Sequence, residues 1–241
     1  MIKFTSLLIL ELFDSFHKKK ISNFLLKKKF KKLNIMFDIG AHKGESIEYF
    51  NKYLEIDQIY SFEASPLSFN ILKNKLPKLK SNFKNTKFNI ENLAVGSNNG
   101  KKYLKHINES SSSTIKDINI SSKYFKKKKR LLGLNDQNFF KKLLVNQVSI
   151  DSYMKIKNID KIDFLKIDTE GYEYEIIKGA LKNLKNIKLI LFEHHYDDMI
   201  KKGYKFSDIN SFLKKNNFKQ IFKKKMPFRK TFEYIYVNKA Y

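Results

Sequence analysis

A glycine-containing turn and a later acidic residue form the most informative pattern in this chain. Gly40 and Gly44 follow the apolar run 35–39, and the sequence after Gly44 has helical character. Glycine permits a tight turn and a close approach of the backbone to a ligand at the N-terminus of a helix. Glu63 ends the next apolar run, and its carboxylate could accept hydrogen bonds from both hydroxyls of a ribose. Together these features predict a nucleoside-cofactor site.

This pattern has two competing interpretations. Glycines occur in many strand-to-helix turns, so the first is an ordinary turn without a ligand. The second is an NAD-dependent oxidoreductase, but the chain lacks the fingerprint Gly-x-Gly-x-x-Gly and an evident Tyr-x-x-x-Lys pair. The position of Glu63 favours a nucleoside cofactor over both interpretations.

The length and composition limit the class of protein. A chain of 241 residues without a long Pro-, Gly- or Ser-rich linker predicts one α/β domain with a terminal appendage. The chain contains no cysteine, which excludes disulfides, cysteine metal ligands and cysteine nucleophiles. Because the absence of cysteine fits a reducing compartment, we predict a cytoplasmic location.

The net charge of +25 raises the alternative of a nucleic-acid partner, since a basic surface concentrates polyanions. Of the 49 basic residues, however, all except Arg130 and Arg229 are lysine. Arginine is the residue that recognises phosphate bidentately. We therefore favour compositional bias and predict no nucleic-acid partner, while RNA binding through the lysine-rich surface remains the alternative.

Residues 1–33 are predicted to form an amphipathic, basic helical appendage. Glu11 and Asp14 interrupt the apolar run and no small-residue cleavage site follows, so export is not predicted. The segment is too short and too charged to span a bilayer. Packing on the domain or on a second subunit is the favoured role. The alternative is contact of residues 2–32 with the anionic inner face of a membrane.

Apolar runs and helix-like segments alternate over residues 34–241. This alternation predicts an α/β domain with a mostly parallel central sheet, helices on both faces and a C-terminal antiparallel hairpin. The predicted helices cover residues 45–54, 66–76 and 206–216, and helical spacing also runs from 174 to 184. Residues 108–145 have the weakest pattern and are predicted to form a variable loop or lid.

Acidic residues end four of the predicted strands, namely Asp38, Glu63, Asp168 and Glu193. The carboxyl ends of parallel strands meet at one edge of a sheet, and open α/β folds bind their ligands there. The four carboxylates are therefore predicted to lie along a single ligand site.

Several segments in one order carry a family resemblance. They are residues 37–44 (FDIGAHKG), 61–66 (SFEASP), 92–96 (NLAVG), 148–151 (VSID), 165–173 (LKIDTEGYE) and 178–180 (KGA). Together they resemble the FkbM-type methyltransferases, a branch of the class I S-adenosylmethionine-dependent enzymes. The resemblance covers roughly residues 35–195, and its Lys-Ile-Asp-x-Glu-Gly segment is the most specific.

The resemblance implies a class I methyltransferase Rossmann-like fold, with S-adenosylmethionine as the cofactor. It places Asp38 near the methionine amino group, the backbone of Gly40, Ala41 and Gly44 beneath the cofactor, Glu63 on the ribose, and Ala94 and Val95 along the adenine slot. The implied reaction is O-methylation of a carbohydrate or another small hydroxylated acceptor. The implied partner is thus a small molecule or a glycan, and the alternative function is RNA methylation through the lysine-rich surface.

A sugar hydroxyl loses its proton reluctantly, so methyl transfer to it requires a general base. The candidate catalytic residues are Asp168, His194 and His195, and Glu193 is a further titratable group near them. Asp168 equally fits a structural carboxylate that accepts backbone N–H groups from the following turn. The histidines equally fit ordinary hydrogen-bonded side chains. The spacing of these residues does not support a metal site.

Overall fold

Seven strands form the central sheet of the computed structural model, which describes residues 18–107, 113–132, 139–227 and 229–241. The helices are α1 (residues 18–27), α2 (Glu45–Tyr53), α3 (Pro66–Asn82), α4 (Lys123–Leu132), α5 (Ile150–Lys157), α6 (Glu173–Lys178) and α7 (Phe206–Lys215). The strands are β1 (Lys32–Ile39), β2 (Glu55–Phe62), β3 (Lys87–Glu91), β4 (Ala94–Val95), β5 (Gly100–Ile107), β6 (Ser113–Thr114), β7 (Asp117–Ile118), β8 (Phe140–Val148), β9 (Ile162–Ile167), β10 (Ile187–His195), β11 (Ile200–Lys201), β12 (Phe218–Lys225) and β13 (Thr231–Asn238).

The strand order of the central sheet is β12-β13-β10-β9-β1-β2-β3. β1, β2, β3, β9 and β10 pair in parallel, and β13 runs antiparallel to both of its neighbours. The predicted parallel sheet with a C-terminal hairpin is confirmed. The chain moves outward from β1 in one direction and from β9 in the other, so a topological switch point lies between these two strands. Ligands of open α/β sheets bind at such a point.

Helices cover both faces of this sheet, as predicted. On one face α1, α2 and α3 contribute Ile21, Phe50 and Leu72 to a buried cluster. On the other face α5, α6 and α7 contribute Tyr153, Ile176 and Ile209 to a second cluster. All six residues of β9 are buried. A strand covered on both faces is expected to be mostly apolar, and four of these six residues are. The two charged side chains are both partnered: Asp163 accepts from the backbone N–H groups of Asn34 and Ile35, and Lys166 pairs with Asp38.

The described part of the N-terminal appendage packs on the domain. Ile21 and Leu25 of α1 are fully buried, and the Phe24 ring lies 4.9 Å from the Phe222 ring of β12. The remainder of the predicted appendage, residues 1–17, lies outside the described residues. Among the described residues, no helix combines the length and apolar character needed to cross a membrane.

The segment 108–145 contains more regular structure than the sequence indicates. β8 begins at residue 140 and pairs antiparallel with β5 along eight residues of each strand, within a second sheet of order β4-β8-β5-β6. α4 precedes it. The adjacent lysines Lys141 and Lys142, both exposed, break the alternation of polar and apolar residues that would have predicted a strand. Residues 108–112 and 133–138 lie outside the described residues, and a role of this region as a lid stays a prediction.

Helix α6 is shorter than the helical spacing of residues 174–184 indicates. It ends at Lys178, and Gly179 follows as its C-cap. A Cβ atom at Gly179 would lie only 2.0 Å from the Gly96 carbonyl oxygen, so glycine allows the two backbones to meet. α3, in contrast, extends past residue 76 and through Pro77 to Asn82.

Candidate active site

The glycine turn after β1 passes directly against the ends of its two neighbouring strands. The backbone N–H groups of Gly40 and Ala41 both donate to the Phe62 carbonyl of β2, at 2.9 and 3.0 Å. Gly40 has φ 77°, and a Cβ atom there would lie 1.9 Å from the Asp168 carbonyl oxygen. No other residue fits this conformation and this contact. At Gly40 the turn therefore lies against β9 without a side chain and contributes backbone to the cavity above it.

Glu63 is fixed in place by two backbone groups. The His42 N–H donates to Oε2 and the Ser65 N–H donates to Oε1, each at 2.8 Å. The side chain is buried, and burial outweighs these two hydrogen bonds and raises the pKa of Glu63. Each carboxylate oxygen retains a lone pair after these contacts. The carboxylate can therefore accept further hydrogen bonds from a ligand.

A cavity of about 720 Å³ lies above the turn, at the carboxyl edge of the sheet. Five of the seven predicted cofactor residues line it: Gly40, Ala41, Glu63, Ala94 and Val95. Gly44 is the N-cap of α2 with φ 82° and is not part of the lining. The apolar wall near Ala94 is completed by Leu93, Leu104 and Ile115. This wall and Glu63 together suit a flat base attached to a ribose.

Asp38 is the remaining predicted cofactor residue, and the structure places it behind the cavity wall. It is 0% exposed, and its Oδ1 lies 2.9 Å from Nζ of Lys166. The same Nζ donates to the Gly40 carbonyl oxygen at 3.2 Å and lies 3.6 Å from Oδ2 of Asp168. Burial lowers the pKa of Lys166, but Asp38 and Asp168 outweigh it and hold this pKa above its usual value. Lys166, not Asp38, reaches the cavity.

Carboxylates concentrate at the other end of the cavity. Asp168, Glu170, Glu193 and Glu233 all line it. Glu193 and Glu233 are register partners on β10 and β13. Burial and, next, the charge of Asp168 raise the pKa of Glu193 well above its ordinary value. Sequence reasoning missed Glu233, because it lies in the predicted C-terminal hairpin and that prediction did not include the pairing of β13 with β10.

His195 lies directly behind this carboxylate group. Its Nε2 is 3.2 Å from Glu193 Oε1 and 3.3 Å from Glu170 Oε2, and its Nδ1 is 3.1 Å from the Thr231 hydroxyl. Burial lowers the pKa of His195, but Glu170, Asp197 and Glu193 outweigh it and raise the pKa to about 10. At neutral pH, His195 is therefore an imidazolium that holds two cavity carboxylates.

His194 lies on the opposite face of β10, away from the cavity. Its ring contacts Tyr196 at 4.8 Å, Phe206 at 5.7 Å and Tyr204 at 5.8 Å between centroids. Burial, with a smaller contribution from the charge of Lys202, lowers the pKa of His194 to about 3. The structure thus brings Asp168 to the cavity and His195 next to it, but not His194. Among the described residues, no group of three or more His, Asp or Glu side chains is arranged to hold a metal ion.

The high pKa of His195 should make folding stability depend on pH. The folded-state pKa of about 10 lies above the ordinary value of 6.5, so this contribution is complete below pH 6.5 and is lost as pH rises through 10. We expect the wild-type unfolding free energy to fall by about 1–3 kcal/mol more than that of His195→Asn over this range. Urea unfolding of both proteins at pH 6.5, 8 and 9.5 measures this difference. His42→Asn, which removes an imidazole paired with Glu45, is the control, and parallel wild-type and His195→Asn profiles would contradict the assignment.

The sequence matches the family model described as "Methyltransferase FkbM domain" over residues 38–219. The fold is similar to that of the methyltransferase FkbM from Methylobacillus flagellatus (13% identity, TM-score 0.57), over 85% of this chain and 43% of that one. It is also similar to magnesium protoporphyrin IX methyltransferase from Synechocystis with bound SAM (8% identity, TM-score 0.54, 95% of this chain and 81% of that one). A third similar structure is TrmK from M. capricolum with S-adenosyl-homocysteine (10% identity, TM-score 0.51, 93% and 68%). No curated protein matches the chain.

The sheet and the switch-point cavity have the Rossmann-like fold of the class I methyltransferases, which these similar structures share. Within that fold class, the chain belongs to the FkbM methyltransferase family. This confirms the family predicted from the sequence and argues against the oxidoreductase alternative. The chain spans less than half the length of the similar M. flagellatus structure.

Proposed function

We propose that this protein transfers a methyl group from S-adenosylmethionine to a hydroxyl of a carbohydrate or another small hydroxylated acceptor. When bound, the cofactor supplies an electrophilic methyl group on a positively charged sulfur. One observation carries the proposal: a single cavity is lined by Glu63 and apolar side chains at one end and by Glu193, whose pKa burial raises, at the other end.

The residues present fit this cofactor. Glu63 offers acceptor lone pairs to the ribose hydroxyls, and the wall around Ala94 and Val95 offers an apolar slot for adenine. β2 and β10 are three strand spacings apart, which corresponds to about 14 Å between their ends. That distance leaves room for the cofactor between Glu63 and Glu193. The carboxylates of Asp168 and Glu193 favour a positive charge in this part of the cavity.

Glu193 is the proposed general base. A carboxylate with a raised pKa is a stronger base, and burial produces this property at Glu193. His195 touches Glu193 and Glu170 but does not line the cavity, so we assign it the role of a positioning residue. Asp168, whose side chain is 41% exposed, is the second candidate for the base. His194 has no place in this mechanism, because it does not reach the cavity.

The volume of the cavity favours a small acceptor. Methyl transfer is an in-line displacement, so the protein must align the acceptor with the methyl group and exclude water. A volume of about 720 Å³ lies in the range of pockets that enclose small molecules, roughly 300–1,000 Å³. Such a cavity suits a cofactor with a monosaccharide-sized group.

RNA methylation is a second candidate, and one exposed surface supports it. On the outer face of the small sheet, Tyr103 of β5 is 63% exposed and its register partner Leu144 of β8 is 55% exposed. Lys101 and Lys142 flank this pair on the same face, by strand alternation. Aromatic side chains among lysines are typical of surfaces that bind single-stranded nucleic acid. The cavity, however, lies on the opposite face, where Leu104 lines it.

Cytoplasmic location and contact of residues 2–32 with the inner face of a membrane also stay predictions. The basic end of α1 gives the second of these some support, because Lys18 lies at the cavity lining. An acceptor held at a membrane surface would then approach the cavity from the side of α1.

Methyl-labelled S-adenosylmethionine distinguishes the two candidate acceptors. The protein is incubated with the labelled cofactor and either a panel of monosaccharides and glycosides or bulk RNA. We expect label in an alkali-stable ether of a small hydroxylated acceptor and none in RNA. Label in RNA alone would replace the proposed acceptor with the second candidate. Failure of the protein to bind either S-adenosylmethionine or S-adenosylhomocysteine in calorimetry would overturn both.

A further inference from the structure

We propose that Lys166 binds the carboxylate of the methionine moiety of the cofactor. The inference rests on the proposed function, because it requires S-adenosylmethionine in this cavity. The family resemblance placed Asp38 near the methionine amino group of the cofactor, but Asp38 lies behind Lys166 and does not line the cavity. The residue that presents charge to a ligand at this position is therefore the lysine.

The contacts of the ammonium group leave one donor for a ligand. A lysine ammonium has three N–H donors. The Gly40 carbonyl oxygen accepts one of them at 3.2 Å, and Asp38 Oδ1 lies 2.9 Å from Nζ as an ion pair. Asp168 Oδ2 lies at 3.6 Å, which is beyond a normal hydrogen bond. A carboxylate entering the cavity can accept the third N–H.

The position of Lys166 matches the methionine end of a bound cofactor. β2, β1 and β9 are consecutive in the sheet, so Lys166 lies two strand spacings, about 10 Å, from the end of β2 and Glu63. A cofactor with its ribose on Glu63 crosses the β1 turn and brings its amino-acid end to β9. Three other basic residues line the cavity, but none of them lies on the central sheet. Lys18 is on α1, Lys43 is in the loop before α2, and Arg229 is in the β12–β13 connection.

The pair Lys166 and Asp168 is complementary to the zwitterionic end of an amino acid. Lys166 offers an ammonium to the carboxylate, and Asp168 offers a carboxylate to the amino group. Asp38 is fully buried against the lysine, and an opposite charge at this distance favours the charged form of Lys166. Asp38 thus acts through Lys166, as a positioning residue.

Decarboxylated S-adenosylmethionine tests this assignment, because it lacks only the carboxylate. Calorimetry gives the dissociation constants of both cofactors for wild type and for Lys166→Met/Asp38→Asn, in which no unpaired buried charge remains. We expect wild type to bind the decarboxylated cofactor about 10- to 100-fold more weakly. The double variant should bind both cofactors with a ratio near one.

Two control variants separate a direct contact from a structural effect. Asp168→Asn should weaken both cofactors and keep their ratio, and Lys161→Met, on the exposed side chain before β9, should change neither. If Lys166→Met/Asp38→Asn does not fold, Lys166→Gln/Asp38→Asn, which retains a donor for Gly40, takes its place. Circular dichroism and thermal melting check the fold of each variant.

Three results would count against the assignment. A wild-type ratio near one removes the carboxylate contact, and a ratio unchanged in the double variant moves that contact to another residue such as Lys43 or Arg229. In both cases cofactor binding itself persists and the proposed function stands. Absence of any S-adenosylmethionine binding by wild type overturns the proposed function together with this inference.

Discussion

Glu193→Gln is expected to lower kcat for methyl transfer about 100- to 10,000-fold, the usual contribution of a positioned general base. The substitution keeps the size of the side chain and removes the group that accepts the acceptor proton. Because burial and the charge of Asp168 raise the pKa of Glu193, the wild-type rate should also rise with pH until this carboxyl group is ionised. The variant should lose that rise. Initial rates with labelled cofactor, measured from pH 5 to 9, test both effects.

Cofactor affinity must be measured on the same variant. Calorimetry with S-adenosylhomocysteine should give a dissociation constant within a few-fold of wild type, since Glu193 is three strands from Glu63. Glu175→Gln, a change outside the cavity at a residue paired with Lys178, is the matched control and should retain wild-type kcat. If Glu193→Gln kept its rate and Asp168→Asn lost it, Asp168 would be the base.

The two adjacent histidines lie on opposite faces of the sheet because β10 extends through both of them. The sequence places His194 and His195 together after a predicted strand, so both are equal candidates. β10 continues through His195, and successive side chains of a strand point to opposite faces. Glu193 and His195 therefore share the cavity side, while His194 enters the aromatic layer with Tyr196 and Phe206. If the predicted strand had been extended from Glu193 to His195, the sequence would have predicted that the two histidines lie on opposite faces of the sheet.

The burial of Asp38 depends on a pairing that the sequence does not encode locally. Asp38 and Lys166 are register partners on β1 and β9, although more than a hundred residues separate them. Periodicity predicts each strand, but it does not predict which parallel strand lies beside which. The family resemblance placed Gly40, Ala41 and Glu63 on one ligand site, and all three line one cavity, because each of them follows the end of a strand that local periodicity predicts. The partner of Asp38 required the fold.

Glu63→Gln is expected to weaken binding of S-adenosylmethionine and S-adenosylhomocysteine at least about 10-fold. In wild type the two carboxylate oxygens accept from the backbone N–H groups of His42 and Ser65 and face the proposed ribose. An amide has only one acceptor oxygen, so its NH₂ group must face either a backbone N–H or the ribose. The substitution therefore removes one acceptor oxygen and leaves a buried donor unpaired, which costs about 1–3 kcal/mol. Calorimetric dissociation constants for both cofactors measure the effect.

Glu91→Gln provides the matched control, since Glu91 ends the next strand, β3, and binds the Tyr153 hydroxyl at 2.8 Å, outside the cavity lining. It should bind both cofactors as wild type does. Thermal melting without ligand separates a local loss of affinity from unfolding, and added S-adenosylhomocysteine should raise the melting temperature of wild type and Glu91→Gln more than that of Glu63→Gln. Equal ligand stabilisation of all three proteins would show that the ribose lies elsewhere, and the site at the end of β2 would have to be abandoned.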